Sequence, residues 1–259
     1  MNPAFDFSGQ SILVTGASRG IGYAVARAFA HAGGRVIVLA EDAAVDQAAR
    51  RIGEETGRKV GAQRCDIADR ASVRSAIEGL GPLDVLVNNA GIELPTPVTD
   101  GHDAVDAAFQ RIIEVNVLGT WWVTRAAVPR MRSGGRILVT SSIWGRTAVP
   151  GFAAYVASKH ALIGLVRSLS RELGPRGLRV NGVCPGWVRT EASLRSLAVM
   201  AEEQGVSEDE MAEQLAAGQS LGGLMEPDDV AGMYLYLASE AAANVTGQAV
   251  PVDRGEVMA

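Results

Sequence analysis

Short apolar runs alternate with longer amphipathic stretches along most of the chain. SILVTG (Ser11–Gly16), RVIVLA (Arg35–Ala40), LDVLVNN (Leu83–Asn89), RILVTSS (Arg136–Ser142) and LRVNGVC (Leu178–Cys184) are almost continuously apolar, and KVGAQRC (Lys59–Cys65) and QAVPV (Gln248–Val252) complete the set. Strands of that kind are buried on both faces, which predicts a parallel sheet. Helical spacing over Gly20–Ala32 and Ala43–Thr56 fills the first gaps. Strand–helix alternation predicts the α/β class: one Rossmann-type, doubly wound parallel sheet with helices on both faces, spanning 1–259 as a single domain. Its ligand crevice should lie beyond the carboxyl ends of the strands. Gly16, Asp66, Asn88 and Ser142 all fall at or just past such ends.

One segment departs from the alternation. Glu191 to Gly223 holds two helix-like pieces, LRSLAVMAEEQG and SEDEMAEQLAAG, with Ser207 and Glu210 spaced as a capping box for the second. An insertion at the strand ends predicts a helical lid over the substrate, with a surface helical hairpin as the alternative. Leu194, Leu197 and Met200 form the apolar stripe expected to close over it.

A chain of 259 residues with 47% hydrophobic and 20% charged content can build a large core without disulfides. The net charge of −5, with no block of like charge, disfavours nucleic acid and anionic membrane as partners. Cys65 and Cys184 each end an apolar run and read as buried free thiols. The stretch MNPAFDFSGQ lacks the basic-then-apolar order of a signal peptide, and no apolar run reaches the ~20 residues that span a bilayer. A cytoplasmic location is therefore expected. His31, His102 and His160 have no metal-ligand spacing.

Two motifs carry chemistry. TGASRGIG (Thr15–Gly22) joins a strand to a helix. Gly16 allows the tight turn, Gly20 lets a cofactor approach, Gly22 permits close helix packing, and the helix N-terminus faces phosphate. The second motif is AAYVASKHA, where Tyr155 and Lys159 stand one helical turn apart, with Ser142 thirteen positions before the tyrosine. A phenol titrates near ~10, and a lysine charge beside it favours the phenolate. Ser142 can hold a carbonyl or alcohol oxygen beside the phenol. Ser141 would point the opposite way. The combination indicates a bound nicotinamide cofactor that moves a hydride while Tyr155 moves a proton. NNAG (Asn88–Gly91) ends the fourth strand, Asp66 can accept from an adenine amino group while Asp69 suits the helix cap, and Asn116 interrupts a helical run where it would bend the ladder.

Thr15–Gly22, Asn88–Gly91, Asn116, Ser142, Tyr155, Lys159 and CPGWVRT (Cys184–Thr190) resemble the short-chain dehydrogenase/reductase family in order and spacing, over nearly the whole chain. The resemblance implies a catalytic tetrad of Asn116, Ser142, Tyr155 and Lys159. Tyr155 would be the acid/base and Ser142 the anchor of the substrate oxygen. Lys159 would contact the nicotinamide ribose and lower the phenol pKa, and Asn116 would hold a water linking Lys159 to solvent. Cofactor contacts would come from Gly16, Ser18, Arg19, Gly20, Ile21, Gly22, Glu41, Asp66, Ile67, Asn89, Ala90, Gly91, Tyr155, Lys159, Pro185, Gly186, Val188 and Thr190. A homotetramer, or a homodimer, is implied through the helices that carry Asn116 and Tyr155, the second with a small-residue face of Ala154, Ala157, Ala161 and Gly164.

The chain departs from the family pattern at three places. Where NAD-preferring members end the second strand with aspartate stands Ala40, followed by Glu41 and Asp42. Arg19 could pair with a 2′-phosphate, but two carboxylates repel one, so NAD(H) is expected over NADP(H). The usual Val-Asp-Gly-Gly tail is Val252-Asp253-Arg254-Gly255, to which no chemical role is assigned. The lid and CPGWVRT resemble the 3-hydroxybutyrate dehydrogenase branch, yet Trp144 and Phe152 replace its carboxylate-holding His and Lys. Trp144, Phe152, Trp187 and Leu94 predict an apolar pocket, with Glu93 the charged candidate near its rim, placed either to bind a second hydroxyl or to face water.

The expected function is NAD(P)-dependent interconversion of an uncharged, rather apolar secondary alcohol and its ketone. Two alternatives stay open: a 3-oxoacyl thioester reductase, for which Arg125, Arg130 and Arg132 could dock a carrier protein, and a non-catalytic cofactor sensor.

Overall fold

In the computed structural model, which describes residues 5–258, the apolar runs become β1 (Ser11–Thr15), β2 (Arg35–Ala40), β3 (Gly61–Arg64), β4 (Leu83–Asn88), β5 (Met131–Thr140), β6 (Arg179–Pro185) and β7 (Ala249–Val252). The first four residues of the stretch read for a leader lie outside that range. All neighbours pair in parallel, and the described residues give one sheet in the order β3-β2-β1-β4-β5-β6-β7. The winding reverses between β1 and β4, which opens a crevice at their carboxyl ends.

The helices cover both faces. They are α1 (Gly20–His31), α2 (Ala44–Thr56), α3 (Arg70–Glu78), α4 (Asp103–Ile112), α5 (Thr120–Ala127), α6 (Ala153–Leu173), α7 (Glu191–Gln204), α8 (Glu208–Ala217) and α9 (Pro227–Ala238). Alternate strand residues serve opposite layers. Ile12 and Val14 join the layer of Phe29 and Val25 from α1 and Tyr234 from α9. Leu13 joins Val73 and Ile77 from α3 and Leu162 and Val166 from α6. Burying one such side chain is worth about 1.5–3 kcal/mol, so continuous apolar strands are stable only in this two-sided setting.

Two boundaries differ from expectation. β5 begins at Met131 rather than Arg136, because Met131 pairs with Leu83 across a register shift before the ladder resumes at Val85. It ends at Thr140, leaving Ser141 and Ser142 on the segment that leaves the sheet. Between α4 and α5 the helix widens into a π-helical segment, Ile113–Gly119, centred on Asn116. The Asn116 side chain leaves that segment to bond Ile92 and Ser158, and such widenings recur at functional sites.

The inserted segment is helical as expected. Ser207 and Glu210 form the capping box of α8. Arg254 ties the far end of the insertion to the tail: its carbonyl accepts from Leu221 N at 2.9 Å, and its guanidinium donates to the Gly222 carbonyl. It does so at a φ of 56°, the left-handed region that glycine fills in the family's usual tail. Cys65 and Cys184 are free and buried. No described helix is long and apolar enough to cross a membrane.

Candidate active site

The crevice is a cavity of about 700 Å³ that runs from the end of β2 to the N-terminal turn of α7. Its floor is stitched across the β1–β4 seam. Thr15 Oγ1 accepts from Asn89 N at 3.0 Å and Ala90 N at 3.1 Å, and Asn89 Nδ2 donates to the Thr15 and Gly16 carbonyls at 3.2 Å each. Gly16 has a φ of +63°, and a Cβ there would meet Ala90 Cα at 2.6 Å. Only glycine combines that dihedral with that closeness.

The residues suit a dinucleotide. Helix α1 opens at Gly20 without a side-chain cap, so its first amides face the cavity as an anion site. Ser18, Arg19 and Ile21 line that end, Asp66, Ile67, Ala90 and Gly91 the middle, and Pro185, Gly186, Val188 and Thr190 the far wall. Gly22 does not line the cavity. A Cβ there would strike the Gly16 carbonyl, so it serves the packing of α1 onto the turn. Asp69 caps α3 by accepting from Ala71 N, which leaves Asp66 at the cavity wall.

Charges at the β2 end of the cavity are already paired. Arg19 Nη2 lies 2.8 Å from Asp42 Oδ2, and Arg19 Nε lies 3.6 Å from Glu191 Oε2. Glu41 lies 3.7 Å from Arg111, which also meets Asp66 at 3.2 Å.

At the other end Ser142, Tyr155 and Lys159 converge on the cavity. Ser142 stands beside the Tyr155 phenol, as does the carboxylate of Glu93. Ser141 faces away, its hydroxyl donating to the Lys159 carbonyl. Lys159 Nζ donates to the Thr140 carbonyl at 3.0 Å and lies 5.3 Å from the Tyr155 ring centroid. Asn116 is fully buried and lies behind the cavity wall. Its Nδ2 donates to the Ile92 carbonyl and to Ser158 Oγ, each at 3.0 Å, and its Oδ1 accepts from Ile92 N at 2.8 Å.

The electrostatics differ from the expected pattern. Burial pushes the Tyr155 phenol well above its ordinary pKa and Glu93 adds to the rise, while Ser142 opposes it. The Lys159 ammonium donates to the Thr140 carbonyl rather than to the phenol oxygen. Burial brings Lys159 down to about 8, against an upward pull from Glu93.

The substrate end needs two corrections. Phe152 does not line the cavity. It is buried behind Trp144, with ring centroids 5.4 Å apart, because the chain enters α6 there and turns the ring into the core. Trp144, Trp187 and Leu94 do form the wall. Trp144 packs edge-on against Tyr155 and Trp187 at 5.9 and 5.5 Å. The stripe on α7 also turns elsewhere: Leu197 joins this aromatic cluster from behind, and Leu194 is exposed. Glu191, Ala192, Ser193 and Arg195 are what α7 presents to the cavity. A periodicity reading cannot separate a stripe that packs a lid down from one that touches ligand.

Comparison with known proteins agrees with this geometry. A family model described as Enoyl-(Acyl carrier protein) reductase matches residues 16–256. The galactitol 2-dehydrogenase (L-tagatose-forming) of Cereibacter sphaeroides is 36% identical over 256 residues, covering 97% of this chain and 96% of its own. The L-sorbose reductase of Gluconobacter frateurii, solved with NADPH and L-sorbose, superposes with a TM-score of 0.89 at 27% identity, covering 98% of this chain and 99% of its own. Carveol dehydrogenase of Mycobacterium avium, solved with NAD, gives a TM-score of 0.88 at 28% identity with the same coverage. With the glycine turn, the doubly wound sheet and the Ser142, Tyr155 and Lys159 cluster in place, the chain belongs to the short-chain dehydrogenase/reductase family of oxidoreductases.

Proposed function

We propose that this protein interconverts an uncharged secondary alcohol and its ketone with a nicotinamide cofactor, using Tyr155 as the acid/base. The convergence of Ser142, Tyr155 and Lys159 on one cavity carries the reading. When bound, the nicotinamide accepts or supplies the hydride. In oxidation the Tyr155 phenolate takes the hydroxyl proton as the carbinol carbon gives up its hydride. In reduction the phenol returns that proton to the carbonyl oxygen. Ser142 holds the oxygen in either direction.

Lys159 is assigned to the cofactor ribose and to the charge balance of the phenol. Both amide protons of Asn116 are engaged, while its Oδ1, which accepts from Ile92 N, keeps a second lone pair for a water near Lys159. NAD is favoured over NADP because Arg19 is matched by Asp42 and Glu191. Trp144, Trp187 and Leu94 favour an apolar flank on the substrate, and Glu93 disfavours a carboxylate.

The carrier-protein alternative has less support. Arg130 donates to the Leu80 and Glu78 carbonyls, and Arg132 pairs with Asp84. A homotetramer is supported by Ala157, Ala161 and Gly164, exposed along α6 beside exposed Leu118 and Trp121; Ala154 of the small-residue face is buried. Its mass in solution tests that.

The test of the function is a panel of secondary alcohols and ketones with each cofactor, followed by absorbance of the reduced nicotinamide. Turnover of uncharged alcohols supports the reading, and turnover of none contradicts it.

A further inference from the structure

Glu93 follows the NNAG segment and is half-buried in the cavity wall, where its carboxylate faces the Tyr155 phenol. Its Oε1 accepts a hydrogen bond from Ser196 on α7. Ser196 is 4% exposed, so the pair joins the loop after β4 to the lid beneath the surface. Among the described residues Glu93 makes no ion pair. The two nearest cations are committed elsewhere: Lys159 Nζ to the Thr140 carbonyl at 3.0 Å, and Arg195 Nη1 to Glu191 at 3.0 Å.

An unpaired carboxylate beside the reactive phenol is costly. Burial raises the phenol pKa and the Glu93 carboxylate adds to that rise, which works against alcohol oxidation. Nothing in the packing requires a charge there, since the neighbouring wall is Leu94, Trp144 and Trp187. The position makes chemical sense if the carboxylate binds substrate.

We propose that Glu93, steadied by Ser196, is a subsite for a second hydroxyl on the carbon adjacent to the reacting one. The preferred substrates are then vicinal diols and the matching α-hydroxyketones. This rests on the alcohol–ketone reading above and narrows it. With the reacting oxygen held between Ser142 and Tyr155, a hydroxyl on the adjacent carbon is the group the proposal pairs with Glu93, whose carboxylate stands beside the same phenol. A carboxylate accepts that hydroxyl in a charge-assisted hydrogen bond. A cationic amine fits less well, because Lys159 and Arg195 already place positive charge near Glu93. The rest of the substrate lies on the tryptophan wall, so the diol carries an apolar flank.

The test uses the purified full chain with NAD and with NADP and three matched pairs: 2,3-butanediol and 2-butanol, trans-1,2-cyclohexanediol and cyclohexanol, and 1-phenyl-1,2-propanediol and 1-phenylpropanol. The expected result is a higher kcat/KM for the diol of a pair. Glu93→Ala should lower the diol-to-mono-alcohol ratio of kcat/KM by ~10–100-fold, the range of a hydrogen bond to a charged group. Glu93→Gln should restore part of that loss and move the rising limb of the pH profile for alcohol oxidation to lower pH. Ser196→Ala should raise KM for the diol more than it changes kcat. Retained binding of reduced cofactor by each variant confirms its fold. Equal use of diol and mono-alcohol by the parent, or equal loss on both in Glu93→Ala, overturns the subsite and leaves the alcohol–ketone reading standing. Turnover of none of the six compounds with either cofactor overturns both.

Discussion

Arg19 and Asp42 form an ion pair of 2.8 Å across the mouth of the cofactor cavity, joining the glycine turn to the segment just past β2. Asp42 is further held by Ser18 Oγ at 3.3 Å and Ala44 N at 3.0 Å. A 2′-phosphate arriving there would have to displace this carboxylate from the guanidinium.

The parent enzyme should therefore show a higher kcat/KM with NAD than with NADP. Asp42→Ala leaves Arg19 only the longer contact with Glu191 and should move the ratio toward NADP, with ~10-fold corresponding to about 1.4 kcal/mol. A parent that prefers NADP by that factor would show that the pair opens without penalty.

Lys159 makes a stability prediction. Its pKa falls from 10.5 to about 8 in the folded chain, chiefly through burial, which corresponds to about 3 kcal/mol. The folded state binds fewer protons than the unfolded one between those values. Stability therefore rises with pH through that window, and the cost is fully present below about 8. Lys159→Met should raise Tm at pH 7 while abolishing turnover, and its advantage over the parent should shrink toward pH 10. A constant advantage across that range would mean that the gain is packing, not charge.

Trp144 supports three aromatic neighbours at once, Phe152, Tyr155 and Trp187. Trp144→Ala should cost about 3–5 kcal/mol of stability and raise KM, with bulkier substrates tolerated better than by the parent. Thermal melts and a substrate series measure both. An unchanged KM would place the substrate away from this wall.

Much of this was legible in the chain because each signal has one physical meaning. Two-sided burial makes Ile12, Leu13 and Val14 all apolar, and that announces a covered parallel strand. The spacing of Ser142, Tyr155 and Lys159 survives as convergence because a strand end and a helix face are rigid. What was not legible depended on direction. Phe152 is as close to Tyr155 in sequence as a pocket residue would be, yet the entry into α6 turns it inward. Leu194 and Leu197 share a periodicity but not a face toward ligand. The partnership of Glu93 with Ser196 joins positions 103 residues apart and has no local signature. The same holds for Asp42 as the partner of Arg19, and for the tail residue Arg254 as the anchor of the insertion.

The central claim is that the Tyr155 oxygen carries the transferred proton. Tyr155→Phe keeps the ring that packs on Trp144 and removes only that oxygen. Measured with an alcohol the parent oxidises, kcat should fall by ~10²–10⁴-fold while the Kd for reduced cofactor and the Tm stay near those of the parent. Turnover close to that of the parent would contradict the account.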